Sequence, residues 1–393
     1  MRFIHTSDWH IGRLFQNQSL LDDQVYILEQ IKQYLVDHQV DALVIAGDIF
    51  DRSVPPSDAV DVLDRFINQV AELDIRVIII SGNHDSAKRL RFGAKQMHLS
   101  GVHIVADLAE VTEPIIVENG EQQVAFYGIP YHDPNELRFA FADEQEVSKI
   151  KSHAQAHDYC VAKVLAHKQQ HYRDIPAVLM SHCFVDGASE SDSERPLSIG
   201  GADRVAWQPM QEFTYVALGH LHGPQYRGKS HIRYSGSPLK YSFSEHRQQK
   251  SVTLVDIDEN HSLQITQLPL QAKRDVKIIE GPLQQLIAQG QAHRDEHGTP
   301  CEHYYLARLT DTELMLDPMG QLRAVFPNVL QLERVNFNEP REQSEAPLFA
   351  NKKSELDVFA DFYQQVMGIE LTEPQREIMS QCVSQAKAEH EGE

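Results

Sequence analysis

The chain has 393 residues, 41% hydrophobic and 24% charged, a balance that predicts a globular protein of two or three domains and excludes a disordered or fibrous one. Its net charge of −21 argues against nucleic-acid binding through a basic surface of its own. The four cysteines form no C-x-x-C pair, no run of about 18 apolar residues offers a membrane span, and no leader-like apolar stretch opens the chain, so reduced thiols, no membrane and a cytoplasmic location are expected.

In chain order, "RFIHTS" reads as a short strand. Leu21, Val25, Leu28, Ile31 and Leu35 then recur at helical spacing. "ALVIAGD" is a second strand, apolar almost throughout. Ser57 is expected to cap a helix whose core face is Val60, Leu63, Ile67 and Val70. "RVIIISGNHD" is a third strand, so the first 85 residues read as β-α-β-α-β with buried parallel strands. "IIVENGEQQVAF" predicts a hairpin turning at Asn119-Gly120. A helix is expected from Glu146 to about His171, followed by two more apolar strands, "AVLMSH" and "YVALGH". "SVTLVDIDENHSLQITQL" is a further hairpin.

From about Asp275 a second β-α-β-α-β pattern begins, predicting a small α+β domain. The expected boundaries are 1–272, 273–338, a polar linker at 339–353 and a helical tail at 354–393. In the tail, Leu356, Phe359, Phe362, Tyr363 and Val366 form an apolar stripe ended by Gly368, and Thr372 with Gln375 signals a capping box for one more helix. A two-helix unit set off by a linker has little core of its own, so docking on a partner is expected ahead of self-packing.

The chemistry lies where the apolar runs end. They empty into Asp8 and His10, then Asp48, then Asn83, His84 and Asp85, then His182, then His220 and His222. In open α/β sheets, ligands bind at the carboxyl ends of strands. If the runs lie side by side, these side chains converge. Asp8 and His10 are two apart, as are His220 and His222, and residues i and i+2 of an extended stretch face the same side. Asp8, His10, Asp48, Asn83, His182, His220 and His222 are more ligands than one ion takes, but suit two ions that share a carboxylate and clamp a phosphoester. Asp48, central in chain order, is the natural bridge. Imidazole, carboxylate and amide donors without thiolate favour Mn²⁺ or Fe, with Mg²⁺ and Zn²⁺ as alternatives. Two divalent cations against two carboxylates would also give the acidic chain a locally positive site for phosphate. His84, one residue beyond ligand Asn83, is offset towards substrate, with Asp85 as a candidate to orient its ring.

D-x-H, G-D-x-F, G-N-H-D, a lone His and G-H-x-H, in that order over residues 1–240, resemble the calcineurin-like metallophosphoesterases. "IHTSDWHIGR", "GDIFDRSVPP", "SGNHDS" and "YSGSPLKYSFSE" narrow the resemblance to nuclease subunits that act with an SbcC-type ATPase in DNA repair and recombination. The resemblance implies a four-layer α/β sandwich with a smaller α+β capping domain and a C-terminal helical tail. It implies two Mn²⁺ ions, one on Asp8, His10 and His222, the other on Asn83, His182 and His220, with Asp48 bridging and His84 catalytic. It also implies exonuclease cutting of double-stranded DNA ends, endonuclease opening of hairpins, ATP used by the partner, and a homodimer within a heterotetramer. Where Asp51 stands, some relatives carry histidine, so no role in strand choice transfers.

Other sequence features weigh less. Arg89, Arg91 and Lys95 could form a helix face that meets phosphate, or a merely solvated one. Residues 186–201 read as a loop near substrate or a loop without function. His5, inside the first strand, fits the core. Two competing readings are a phosphodiesterase for small molecules, which the extra domain and tail disfavour, and a non-catalytic adaptor, which the complete ligand set disfavours.

Overall fold

The computed structural model describes residues 1–194, 203–313, 315–335, 359–360, 363–364, 367 and 369–390. The linker at 339–353, and Leu356, Phe362, Val366 and Gly368 of the tail stripe, lie outside the described residues. The chain separates into two compact units, Met1–Lys277 and Ile278–Glu393. Among the described residues no helix is long and apolar enough to cross a membrane.

The first unit runs β1 (Arg2–Thr6), α1 (Leu21–Asp37), β2 (Ala42–Ala46), α2 (Ser57–Ala71), β3 (Arg76–Ile80), β4 (Val102–Val105), β5 (Ile115–Asn119), β6 (Gln122–Ile129), α3 (His153–His171), β7 (Ala177–His182), β8 (Tyr215–Gly219), β9 (Gln225–Arg227), β10 (Lys229–Tyr234), β11 (Ser251–Ile257) and β12 (Leu263–Pro269). These strands make two six-stranded sheets, ordered β12-β11-β1-β2-β3-β4 and β9-β10-β8-β7-β6-β5. The centre of each is parallel: β1, β2, β3 and β4 in the first, and β6, β7, β8 and β10 in the second. The five ligand-bearing runs therefore do not lie side by side in one sheet. Three belong to the first sheet and two to the second.

Strand parity explains how two sheets can share a site. Phe3, Val44, Ile78 and Ile80 of the first sheet pack against Phe126, Val178, Met180 and Ala217 of the second in one buried cluster. Leu179, Val216 and Leu218 point the other way, into a second cluster with Ala156, Cys160, Val161 and Val164 of α3. On the far side of the first sheet, α1 and α2 bury Ile27, Ile31, Leu35, Phe66, Ile67 and Val70. Helix, sheet, sheet, helix makes the four layers. His182 keeps the inward parity of Val178 and Met180. Its ring thus enters the space between the sheets, where Nδ1 donates to the carbonyl of Ala46 across the gap, 2.8 Å away.

Gly219 is required at that closure. A Cβ there would sit 1.8 Å from the Ala46 oxygen. The sheets meet at their carboxyl ends because this strand ends without a side chain.

Several local expectations shift. Pro56 occupies the N-cap position of α2, Ser57 is the first helical residue, and no side chain caps the helix. Ala59, Val62 and Phe66 join its core face, whereas Val60 is exposed, as is Val25 on α1. The β5–β6 turn is Gly120-Glu121, because Asn119 stays in the ladder opposite Gln122 and bonds Asp41 at 2.7 Å. The helix expected from Glu146 starts at His153, where Ser152 and Gln155 form a capping box, after a separate 3-10 turn at Gln145–Lys149.

In the second unit, β13 (Val276–Gly281), α4 (Leu283–His297), β14 (Tyr304–Leu309), α5 (Pro318–Arg323) and β15 (Val329–Arg334) form a three-stranded sheet with two helices. Its own core joins Leu283, Leu286, Ala307, Leu309, Leu322, Phe326 and Val329. Farther on, α6 (Glu373–His390) follows Thr372, whose backbone N–H donates to Gln375 Oε1 at 2.9 Å. That is half of the expected capping box; the threonine hydroxyl also points to Gln375 Oε1.

Gly219→Ala should force the sheet ends apart. Overpacking costs about 1–3 kcal/mol, so a clearly lowered melting temperature is expected in a thermal melt. A wild-type melt would show that the closure tolerates a side chain.

Candidate metal centre

Asp8, His10, Asp48, His182, His220 and His222 are each 4% exposed or less. Burying so many polar groups is unfavourable unless they are paired, so their partners define the site. Asp8 accepts the backbone N–H of His220 at 2.9 Å, tying the end of the first sheet to the end of the second. Asp48 Oδ1 accepts the backbone N–H of His84 at 2.8 Å. Each carboxylate is thus aimed by the backbone of another candidate residue.

The i, i+2 geometry is not what brings these side chains together. Asp8, His10, Asp48 and His220 all have positive φ, at 55°, 45°, 51° and 107°. Non-glycine residues rarely adopt this region, and it concentrates at functional sites. The chain turns sharply past each strand end, and the turns, not extended alternation, converge the groups.

The donor set fits a cation. His222 Nδ1 lies 2.6 Å from Ser193 Oγ, which itself donates to Glu245 Oε1 at 2.6 Å. The His222 proton is therefore on Nδ1, and its Nε2 lone pair faces the site. There it meets His10 Nε2 at 3.2 Å. Among the described residues His10 Nδ1 has no hydrogen-bond partner, and Asp51 Oδ1 lies 3.6 Å from it. Asp48 Oδ2 is equally 3.6 Å from His10 Nε2, so with the His222 proton on Nδ1, His10 Nε2–H donates to His222 Nε2, and a cation bound there would displace that proton. Likewise His182 spends its Nδ1 proton on Ala46, and its Nε2 faces Asn83 Oδ1 at 3.0 Å. His220 Nδ1 lies 3.1 Å from the same oxygen. Asp48 Oδ2 stands between the groups, 3.6 Å from His10 Nε2 and 3.5 Å from His182 Nε2. Three overlapping trios could each hold an ion: Asp8, His10 and His222; His10, Asp48 and His84; and Asp8, Asp48 and His182.

Burial alone would push the His182 ring down, but Asp48 beside it prevails and raises it to about 9. Burial works against the Asp48 charge too, yet His182 and His10 hold its carboxyl well below the usual range. Asp8 goes the other way, raised to about 6 by burial. Burial pushes the His10 and His220 rings down, His220 to about 3, so the gain in positive charge is confined to His182 beside Asp48.

His84 is half-buried, and its Nδ1 bonds the Asp51 carbonyl at 2.8 Å. Asp85 does not orient it. Its carboxylate accepts the backbone N–H groups of Ile49, Phe50 and Gly82 at 3.1, 3.0 and 2.9 Å, bracing the Asp48 turn. Nor do Arg89, Arg91 and Lys95 share a free helix face. Two short helices replace the one expected, and Arg91 is engaged by Asp107 and Glu110 at 2.5 Å each. His5 is a strut of the core, joining the Tyr215 hydroxyl at 2.9 Å and the Leu218 carbonyl at 3.2 Å.

Reading by strand ends misses Ser193, Glu194, Tyr241, Glu245 and Lys250. Glu194 accepts the backbone N–H of His222 at 2.7 Å. The Tyr241 ring packs on His10 and His222, with centroids 5.5 and 5.4 Å away. Lys250 bonds Glu245 at 2.5 Å and the His222 carbonyl at 2.8 Å. Burial opposes the Glu245 charge, but Lys250 and His222 outweigh it and hold the carboxyl well below its ordinary range. "YSGSPLKYSFSE" contains Tyr241 and Glu245, so family likeness alone marked that segment.

Residues 1–224 match the calcineurin-like phosphoesterase family. Residues 272–367 match a family described as the type 5 capsule protein repressor C-terminal domain. The chain is similar to the D-type subunit of the nuclease SbcCD of Staphylococcus epidermidis, at 33% identity over 98% of both chains. It is similar to that of Staphylococcus saprophyticus at 34% identity over 95% of both. Among solved structures, TT1561 of Thermus thermophilus is 15% identical and covers 68% of this chain and 98% of its own, with a TM-score of 0.40, too slight a likeness to argue from.

Lys250→Met leaves the Glu245 carboxylate buried without its cation. Breaking a buried pair costs about 3–5 kcal/mol, so thermal melting should drop sharply, and Glu245→Gln in the same chain should restore part of the loss. Equal melting of all three proteins would contradict the pairing.

Proposed function

The chain belongs to the calcineurin-like phosphoesterases and, among them, to the SbcD-type nuclease subunits, and on that premise we propose that it is the metal-dependent nuclease of an SbcCD-type complex. The observation that carries this reading is the convergence of imidazole, carboxylate and amide donors from His10, His222, His182 and Asn83 around Asp48. Asp8, His10 and His222 would hold one divalent ion, Asn83, His182 and His220 a second, and Asp48 both. Mn²⁺ is the proposed ion, since the donors are imidazole, carboxylate and amide without thiolate.

Two bound divalent ions would neutralise the scissile phosphate and make water nucleophilic at neutral pH. The protein's own groups do the rest. Asp8 and Asp48, fixed by backbone N–H groups, cannot swing away as substrate enters. His84 anchors Nδ1 on the Asp51 carbonyl, which leaves Nε2 for substrate. From there, when protonated on both nitrogens, it would steady the phosphate and pass the Nε2 proton to the leaving oxygen.

The substrates proposed are double-stranded DNA ends, cut exonucleolytically, and hairpins, opened endonucleolytically, with ATP used by an SbcC-type partner. The net charge of −21 leaves broad DNA contact to that partner. Residues 273–338 would cap the site and shape DNA entry. Docking of the tail on the ATPase is supported by the exposure of Met367, Ile369 and Ile378. A homodimer within a heterotetramer is supported by Phe92 and Leu99, which are 88% and 86% exposed. The proposed place of action is the cytoplasm.

His84→Gln should keep Mn²⁺ binding and lower cleavage of a hairpin-ended duplex by roughly 100-fold or more. Calorimetric Mn²⁺ titration beside a cleavage assay, with and without an SbcC-type ATPase and ATP, checks both halves. Loss of metal binding together with cleavage would mean that His84 is a ligand. Turnover of a small phosphodiester with DNA untouched would favour a small-molecule phosphodiesterase.

A further inference from the structure

We propose that Ser193, backed by Glu245 and Lys250, is a positioning residue that sets the tautomer and angle of the His222 ring. The inference rests on the reading of His222 as a metal ligand.

Proton placement decides the tautomer. The Glu245 carboxylate only accepts, and it is fully buried. Ser193 Oγ is 2.6 Å from Glu245 Oε1 and 3.0 Å from Ser191 Oγ. The closer, charged acceptor takes the hydroxyl proton, and Ser191 directs its own proton to Glu194 at 2.6 Å. Ser193 then has only lone pairs to offer His222 Nδ1, 2.6 Å away. The imidazole proton must sit on Nδ1, and Nε2 must face His10.

The relay is stiff. Glu245 Oε1 also accepts from the Tyr241 backbone N–H at 3.1 Å and the Ser242 hydroxyl at 3.0 Å. Lys250 grips both ends, taking Glu245 Oε2 at 2.5 Å, the His222 carbonyl at 2.8 Å and Ser237 Oγ at 2.9 Å. Arg13 holds the Ser193 carbonyl at 3.0 Å. His182 and His84 fix their rings on backbone carbonyls. His222 depends on side chains from two other segments, so a point substitution can release it.

The test compares Ser193→Ala and Ser193→Thr in the full chain. Mn²⁺ binding is followed by calorimetry, and the spin coupling of a manganese pair by electron paramagnetic resonance. Outer partners of metal-bound histidines are worth about 10–100-fold in metal affinity. Ser193→Ala should weaken one Mn²⁺ by that factor, spare the other and lose the coupled signal, while Ser193→Thr restores both ions. Two ions bound by Ser193→Ala as tightly as by wild type would overturn the proposal. So would equal weakening of both ions with a lowered melting temperature, the mark of a general packing defect. Wild-type protein that binds no Mn²⁺ pair would instead defeat the metal-ligand reading beneath it.

Discussion

Imidazole, carboxylate and amide donors gathered in one buried space are the constraint on which this structure turns. His10 and His222 nitrogens lie 3.2 Å apart, and Asn83 Oδ1 lies 3.0 and 3.1 Å from nitrogens of His182 and His220. Burying so many polar groups together is costly even when they bond one another. A bound cation would use these same atoms as its ligands. The surrounding framework makes sense as the means of holding these groups together: two sheets closed at Gly219, four non-glycine residues in left-handed turns, and carboxylates pinned by backbone N–H groups.

Support for the site comes in rings of decreasing exposure to substrate. Backbone carbonyls of Ala46 and Asp51 set two imidazoles, and the Ser193–Glu245–Lys250 chain sets a third. Asp85 braces the turn that carries Asp48 without touching the chemistry. An acidic chain can keep such a site because a bound cation outweighs the surface field locally. The second unit has its own apolar core, so its residues need not be explained by the metal centre.

Much of this was legible in sequence for a physical reason. Parallel strands buried on both faces read as continuous apolar runs, and a polar residue at the end of such a run stands out. That placed Asp8, Asp48, His182 and His220 as candidates, and the structure brings them together. What pattern could not reveal was partnership across distance. The same apolar runs serve one sheet or two, and parity alone does not say which. The i, i+2 spacing implies a shared face only in extended backbone, and here the chain turns through positive φ. Asp85 looked like a partner for His84 because they are adjacent, yet it serves backbone N–H groups of two turns. Ser193 and Lys250 follow no apolar run, and their roles exist only through hydrogen bonds to residues far along the chain.

The proposed centre is two ions that share Asp48. The most direct measurement is an anomalous-difference map from crystals grown with Mn²⁺. Two peaks about 3.5–4 Å apart, one beside Asp8, His10 and His222 and one beside Asn83, His182 and His220, with Asp48 between them, are the predicted result. A single peak, or two peaks that leave Asp48 out, would contradict the account.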